Sequence, residues 1–181
     1  MRIVALDIGE KRIGTAYADT KVRIAIPREM IPVDGNELAN IAKFCRLEKA
    51  EVLVSGYPRN SQGEATKQTE FVVDFVEKIK AYFESIGQAL PQIYFQDESL
   101  TSVTAEERLS LKKHELSRKD RAKGIVDSEA ATIILQDFIE NFTEDSIKEE
   151  PLPGIIENSA KKVAKKARLN SKKAIESSKK I

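Results

Sequence analysis

Apolar and polar positions along the chain follow two periods, one of strands and one of helices. Residues 2–7 carry the unbroken apolar run Ile3-Val4-Ala5-Leu6, which ends on Asp7 and reads as a buried strand. Residues 12–18 and 22–27 read as two more. In the second of these, Val22, Ile24 and Ile26 alternate with other residues at the period of a half-buried strand. The gaps are short, which predicts antiparallel hairpins, with Pro27 and Pro32 closing the unit. Leu38, Ile41, Ala42 and Cys45 then recur at helical spacing within 36–49. Val52-Leu53-Val54, ended by Gly56 and Pro58, predicts a short buried strand. Phe71, Phe75, Ile79 and Phe83, spaced by four, predict a long helix over 64–86 that stops at Gly87 and Pro91. Ile93-Tyr94-Phe95 predicts a strand running into Asp97-Glu98. Residues 101–113 follow as a helix capped by Thr101 or Ser102. Ala130, Ala131, Ile134, Leu135, Phe138 and Phe142 line the apolar face of a last helix.

Strand–helix alternation after an antiparallel start predicts an α/β fold. Its sheet is mixed and five-stranded, with three antiparallel strands first and helices on its faces. This domain occupies 1–142. Residues 143–154 have the composition of a linker. Residues 155–181 are rich in Lys, Ala and Ser and lack the apolar residues to build a core, so a disordered basic tail is expected.

Composition narrows the chemistry. A chain of 181 residues suits one domain with an appendage. The single cysteine, Cys45, excludes an intrachain disulfide. One His and one Cys do not make the usual zinc site. A metal here would be held by carboxylates, which suits Mg or Mn. The expected absence of a leader and of a membrane span fits a cytoplasmic protein. The net charge of +1 hides an asymmetry: 155–181 hold nine Lys/Arg against Glu157 and Glu176, a net +7 that leaves −6 on the remainder.

Three acidic positions stand out by placement. Asp7 ends the first strand, Glu98 follows the strand of Ile93–Phe95, and Asp127 opens the last helix. A carboxylate at the end of a buried strand is costly unless ligated or hydrogen-bonded. Ligand sites in sheets of this kind gather at strand ends. Three carboxylates converging there would repel one another unless divalent cations intervened. Two such ions about 4 Å apart suit phosphodiester cleavage. Each residue also has an ordinary use. Asp7 can begin a turn, Glu98 can be solvated with Asp97 as its competitor, and Asp127 can be an N-cap.

The strings around these residues resemble the YqgF/RuvX family of pre-16S rRNA nucleases, formerly described as Holliday-junction resolvases. They are Ala5-Leu6-Asp7-Ile8-Gly9-Glu10-Lys11-Arg12-Ile13-Gly14, then Val52-Leu53-Val54-Ser55-Gly56-Tyr57-Pro58-Arg59-Asn60 with Gly63. Next come Asp97-Glu98-Ser99-Leu100-Thr101-Ser102 and Asp127-Ser128-Glu129-Ala130-Ala131. Four strings in the family's order make the match specific. The resemblance implies an RNase H-like fold and a metal-dependent nuclease site, in which Asp7, Glu98 and Asp127 match the catalytic, metal-holding carboxylates. Ser99 stands where the family usually has Arg, so a fixed cation and a bidentate phosphate donor are missing there.

Lys11 and Arg12 are then candidate phosphate contacts beside Asp7, against the ordinary reading of a solvated hairpin tip. Arg59, in a strand-end loop, and Thr101, a helix cap first, join them as candidate substrate contacts. His114 reads as an exposed loop residue, Cys45 and the Phe71–Phe83 stripe as core. The basic tail suits salt-sensitive recruitment of RNA or ribosomal particles, and without aromatic residues it offers no base stacking. The leading expectation is a nuclease processing the 5′ end of pre-16S rRNA in ribosome biogenesis, monomeric or homodimeric, with no membrane partner. Competing expectations are a Holliday-junction or other structured-DNA endonuclease and a noncatalytic RNA-binding factor. An actin-like ATPase would need a second Asp-x-Gly loop, which the chain lacks.

Overall fold

The computed structural model describes residues 1–97 and 125–142, with side chains from 128 onward in the second stretch. All belong to the unit Met1–Glu149. The expected helix over 101–113, His114, the linker and the basic tail lie outside the described residues.

Chain order is β1 (Arg2–Ile8), β2 (Arg12–Asp19), β3 (Ile26–Pro27), β4 (Ile31–Pro32), α1 (Glu37–Glu48), β5 (Val52–Tyr57), α2 (Lys67–Ser85), β6 (Gln92–Asp97) and α3 (Ile125–Asn141). The strands form one sheet in the order β3-β2-β1-β5-β6, and β4 also pairs with β2. β2 is antiparallel to β1, whereas β5 lies parallel to β1 and β6 parallel to β5. The expected α/β architecture with a mixed sheet is therefore present, with six strands among the described residues in place of the expected five, because two short pieces stand where one third strand is expected.

β1 is central, and this explains its unbroken apolar run: alternate side chains enter two different cores. Val4, Leu6 and Ile8 join Ile13 and Leu53 against Ile41 and Cys45 of α1 and Val72, Phe75, Val76, Ile79 and Phe83 of α2. Ile3 and Ala5 join Ala16, Ala18, Val52 and Val54 against Ala131, Ile134, Leu135 and Ile139 of α3. Three of the strand residues on the second face are alanines, which lets α3 lie close to the sheet. The Phe71–Phe83 stripe is core from Phe75 onward, with Phe71 packed at its margin.

The expected third strand over 22–27 is corrected. Only Ile26–Pro27 pairs with β2, and a further piece, Ile31–Pro32, does so separately. The backbone of the preceding residues is used elsewhere. The Asp19 carbonyl accepts from the amides of Val22 and Arg23, and Asp19 Oδ1 accepts from Lys21. Arg23 has φ of 57°, and the amide of Ala25 donates to Gln136 Oε1 of α3 at 3.0 Å. Turn and helix thus take the hydrogen bonds that a strand would have formed. Val22 and Ile24 are left 65% and 60% exposed, although they share the strand period. Pro27 and Pro32 do not close the unit but sit within the two short strands.

α2 begins at Lys67, with Thr66 as its N-cap in a reciprocal capping box with Thr69. α3 already includes Ile125, so Asp127 is its third residue and not its N-cap.

Candidate active site

The carboxyl ends of β1, β5 and β6 lie side by side. Leu6 pairs with Ser55, and Tyr57 pairs with Asp97. Asp7, one residue beyond Leu6, is half-buried at this edge. Strand alternation gives it the parity of Ile3 and Ala5, the face that α3 covers. Its partner across β2 is Gly14. On the other side, Gly56 follows Ser55, the partner of Leu6. Asp7 is therefore flanked by two glycines, neither of which brings a side chain into the space beside its carboxylate.

Lys11 and Arg12 sit on the hairpin that leaves Asp7, and both are exposed. The turn is closed by the Gly9 amide donating to the Arg12 carbonyl at 3.1 Å. A Cβ on Gly9 would lie 2.7 Å from that oxygen, so the tight turn requires glycine here. β4 braces the tip: Arg12 pairs with Pro32, and the Val33 amide donates to the Lys11 carbonyl at 3.0 Å. The sequence signal for this brace was too short to read as a strand.

Arg59 lies just past β5 and reaches β6. Its Nη1 is 3.2 Å from Asp97 Oδ2. Its guanidinium lies over the Tyr57 ring at 5.1 Å, and Tyr57 packs edge-on against Phe95 at 5.6 Å. Asp97 has the parity of Ile93 and Phe95, the α1/α2 face, opposite to that of Asp7. Asp97 is thus ion-paired with Arg59, on the face opposite to that of Asp7. The following loop is held by Asn60, whose Oδ1 accepts from the amides of Gln62 and Glu64.

Two polar side chains missed in the sequence bring the N-terminus of α2 to the same edge. Thr69 donates its hydroxyl to the Pro58 carbonyl, and Gln68 Nε2 donates to the Ile8 carbonyl at 3.4 Å. Buried Ser128 fastens the first turn of α3: its hydroxyl donates to the Arg28 carbonyl at 2.6 Å. The Arg28 amide in turn donates to the Thr15 carbonyl at 2.8 Å, and Thr15 is the register partner of Leu6. This chain of bonds ties the first turn of α3, through Arg28, to β2 at the level of Thr15 and Leu6. Glu98 and Thr101 lie outside the described residues.

Among the described residues no three His, Cys, Asp or Glu side chains form a metal-holding group; Glu98 and the Asp127 side chain lie outside that search. The donor chemistry at the edge is nevertheless carboxylate oxygen beside glycine. Cys45 is buried in the α1 core, where burial pushes its thiol up to about 12, so it is no soft ligand. These donors fit a hard divalent cation. Among the described residues no helix is long and apolar enough to cross a membrane.

The RuvX family model, described as Holliday junction resolvase, matches residues 1–141. A protein of Caldanaerobacter subterraneus named "Putative pre-16S rRNA nuclease" is 35% identical over 146 residues, covering 78% of this chain and 97% of its own. One of Clostridium botulinum with the same name is 35% identical over 147 residues, covering 79% and 99%. Among solved structures, T. thermophilus RuvC in complex with Holliday junction substrate overlays with a TM-score of 0.47 at 12% identity. That overlay covers 77% of this chain and 93% of the other and is too distant to bear on the assignment. By the extent of the family match and the identity to its relatives, the chain belongs to the RuvX (YqgF) family of nucleases.

Proposed function

We propose that this protein is a divalent-cation-dependent nuclease acting on precursor 16S rRNA, at its 5′ end, in the cytoplasm during ribosome biogenesis. The observation that carries the reading is Asp7 at the carboxyl end of the central strand, with Gly14 as its partner on β2, Gly56 one residue past the last β1–β5 pair, and the first turn of α3 fastened through Ser128 to the Arg28 carbonyl. The strand order, with antiparallel pairing on one side of β1 and parallel on the other, supports an RNase H-like fold.

Asp7, Glu98 and Asp127 would hold Mg or Mn. The chemistry that a bound divalent cation supplies in such a cluster is activation of water and charge stabilisation at the phosphodiester. The chain's own contribution is positioning. Lys11 and Arg12, on the braced hairpin, engage the phosphates next to the one being cut. Arg59 keeps part of its five-donor guanidinium for a neighbouring phosphate while one nitrogen holds Asp97. Thr101 is assigned a further substrate contact. Ser99 stands where the family pattern has Arg, which adds weight to Lys11, Arg12 and Arg59 as phosphate contacts.

We assign residues 143–154 to a linker and the net +7 of 155–181 to recruitment of RNA or ribosomal particles. The substrate is tested by offering purified protein, with Mg or Mn, a precursor 16S rRNA fragment and a four-way DNA junction. The reading predicts faster cleavage of the RNA. Cleavage of the junction alone would replace it by the DNA-endonuclease reading, and cleavage of neither would favour a noncatalytic RNA-binding factor.

A further inference from the structure

Four polar residues among those described are buried, and two of them act on the same two-residue segment. Thr15 is 0% exposed and Ser128 is 2% exposed. Thr15 Oγ1 donates to the Glu29 carbonyl at 2.8 Å, and Ser128 Oγ donates to the Arg28 carbonyl at 2.6 Å. The Arg28 amide closes the link by donating to the Thr15 carbonyl at 2.8 Å. Segment Arg28-Glu29 is therefore a strut between β2 and the first turn of α3.

Packing alone does not account for these hydroxyls. Valine would suit a buried strand position better than threonine, and alanine would suit a buried helix position better than serine. A buried hydroxyl is costly unless it is hydrogen-bonded. Nor is the Ser128 bond the usual one within a helix, which Thr132 makes instead, to the Ser128 carbonyl at 2.7 Å. The side chain of Arg28 anchors the strut from its other side. Its Nε lies 2.6 Å from Glu48 Oε1 at the end of α1, and its guanidinium stacks over the Tyr17 ring at 5.0 Å.

The two ends of the strut lie at chemically significant positions. Thr15 pairs with Leu6, the residue before Asp7. Ser128 directly follows Asp127. We propose that Thr15 and Ser128 are positioning residues that, through segment Arg28-Glu29, set the separation between Asp7 and Asp127 and so the affinity of that pair for a divalent cation. The inference rests on the proposed role of these two carboxylates. Neither hydroxyl touches substrate or cation. Each fixes the backbone that carries a ligand, and loss of outer supports of this kind lowers metal affinity.

The test is Mn2+ binding to the full-length protein without nucleic acid, followed by electron paramagnetic resonance of the free ion. Ser128→Ala and Thr15→Val should each weaken binding about tenfold, whereas Thr15→Ser, which keeps the hydroxyl, should stay within about twofold. Gln136→Ala is the structural control. It removes another bond that fastens α3, that of Gln136 Oε1 with the Ala25 amide, two turns beyond Asp127. It should lower thermal stability and leave Mn2+ affinity unchanged. The double variant Ser128→Ala/Thr15→Val should lose less than the product of the single losses, because both act through one segment.

Unchanged affinity in Ser128→Ala and Thr15→Val would overturn the inference. So would a loss in all variants, Gln136→Ala included, that simply tracks stability. If Ser128→Ala does not fold, the Thr15→Val and Thr15→Ser pair decides. Asp7→Asn separates the two claims. Wild-type affinity in that variant refutes the carboxylate reading itself, whereas loss there with no loss in the Thr15 and Ser128 variants refutes the strut alone.

Discussion

Arg59 Nη1 lies 3.2 Å from Asp97 Oδ2, so the cation of the loop after β5 is joined to the last residue of β6. The pair ties the carboxyl ends of β5 and β6 together and gives Asp97 a structural partner. Both side chains are partly exposed, at 30% and 20%, so the pair contributes no more than about 1 kcal/mol to stability. Asp97→Asn should therefore keep cleavage within about threefold of wild type, while Glu98→Gln should lower it by about a thousandfold or more, as loss of a metal-holding group does. Rates measured on one RNA substrate at saturating Mg decide between the two acids.

Arg59→Gln should act on binding more than on turnover. If its remaining donors meet a phosphate, KM should rise by about tenfold, the size of one lost charge-assisted hydrogen bond, with kcat changed much less. A fall in kcat with KM unchanged would place Arg59 with the reacting groups instead.

Gly9 controls the hairpin that presents Lys11 and Arg12. An added Cβ would lie 2.7 Å from the Arg12 carbonyl oxygen, a backbone atom that moves only with the strand. Gly9→Ala should destabilise by about 1–3 kcal/mol, the usual cost of overpacking, as read by urea unfolding. Stability equal to wild type would show that the turn relaxes freely.

Cys45 gives a pH dependence with a definite sign. Burial raises its thiol from 9.0 to about 12, so between these values the unfolded chain loses the thiol proton first. The stability linked to this group is fully present below pH 9 and is lost as pH rises from 9 towards 12. Cys45→Ala should flatten that alkaline loss, seen in urea midpoints taken at pH 8 and pH 10. For the same reason alkylation of the native protein at pH 8 should be slow and should speed up when urea unfolds the chain.

Much of the sheet was legible because its central strands bury both faces. Ile3–Leu6 and Val52–Val54 carry no polar residue to obscure the signal, and the spacing of Phe71, Phe75, Ile79 and Phe83 belongs to a helix alone. Segment 22–27 departs from the strand its period predicts: Val22, Ile24 and Ile26 alternate as a strand does, while Asp19 and Gln136 take the backbone bonds. No local pattern reveals a partner more than 100 residues away. Asp7 was legible as a carboxylate stopping an apolar run. The roles of Gly14 and Gly56 beside it were not, because they depend on register across two different strand pairs. Arg59 was visible as a loop cation, but its hold on Asp97 depends on the parallel pairing of β5 with β6.

The basic segment offers a prediction independent of the edge chemistry. Removing residues 155–181, with their net +7, should weaken RNA binding and flatten its salt dependence while leaving cleavage at saturating substrate intact. Dissociation constants measured across a range of salt concentrations give the slope. An identical slope in both proteins would reject recruitment by this segment.

The most direct test of the account is cleavage of a precursor 16S rRNA fragment by wild type and Asp7→Asn, side by side with Mg or Mn. Wild type should show metal-dependent cleavage and Asp7→Asn none above background, with both proteins folded and both still binding the RNA. Equal cleavage by the two proteins would contradict it.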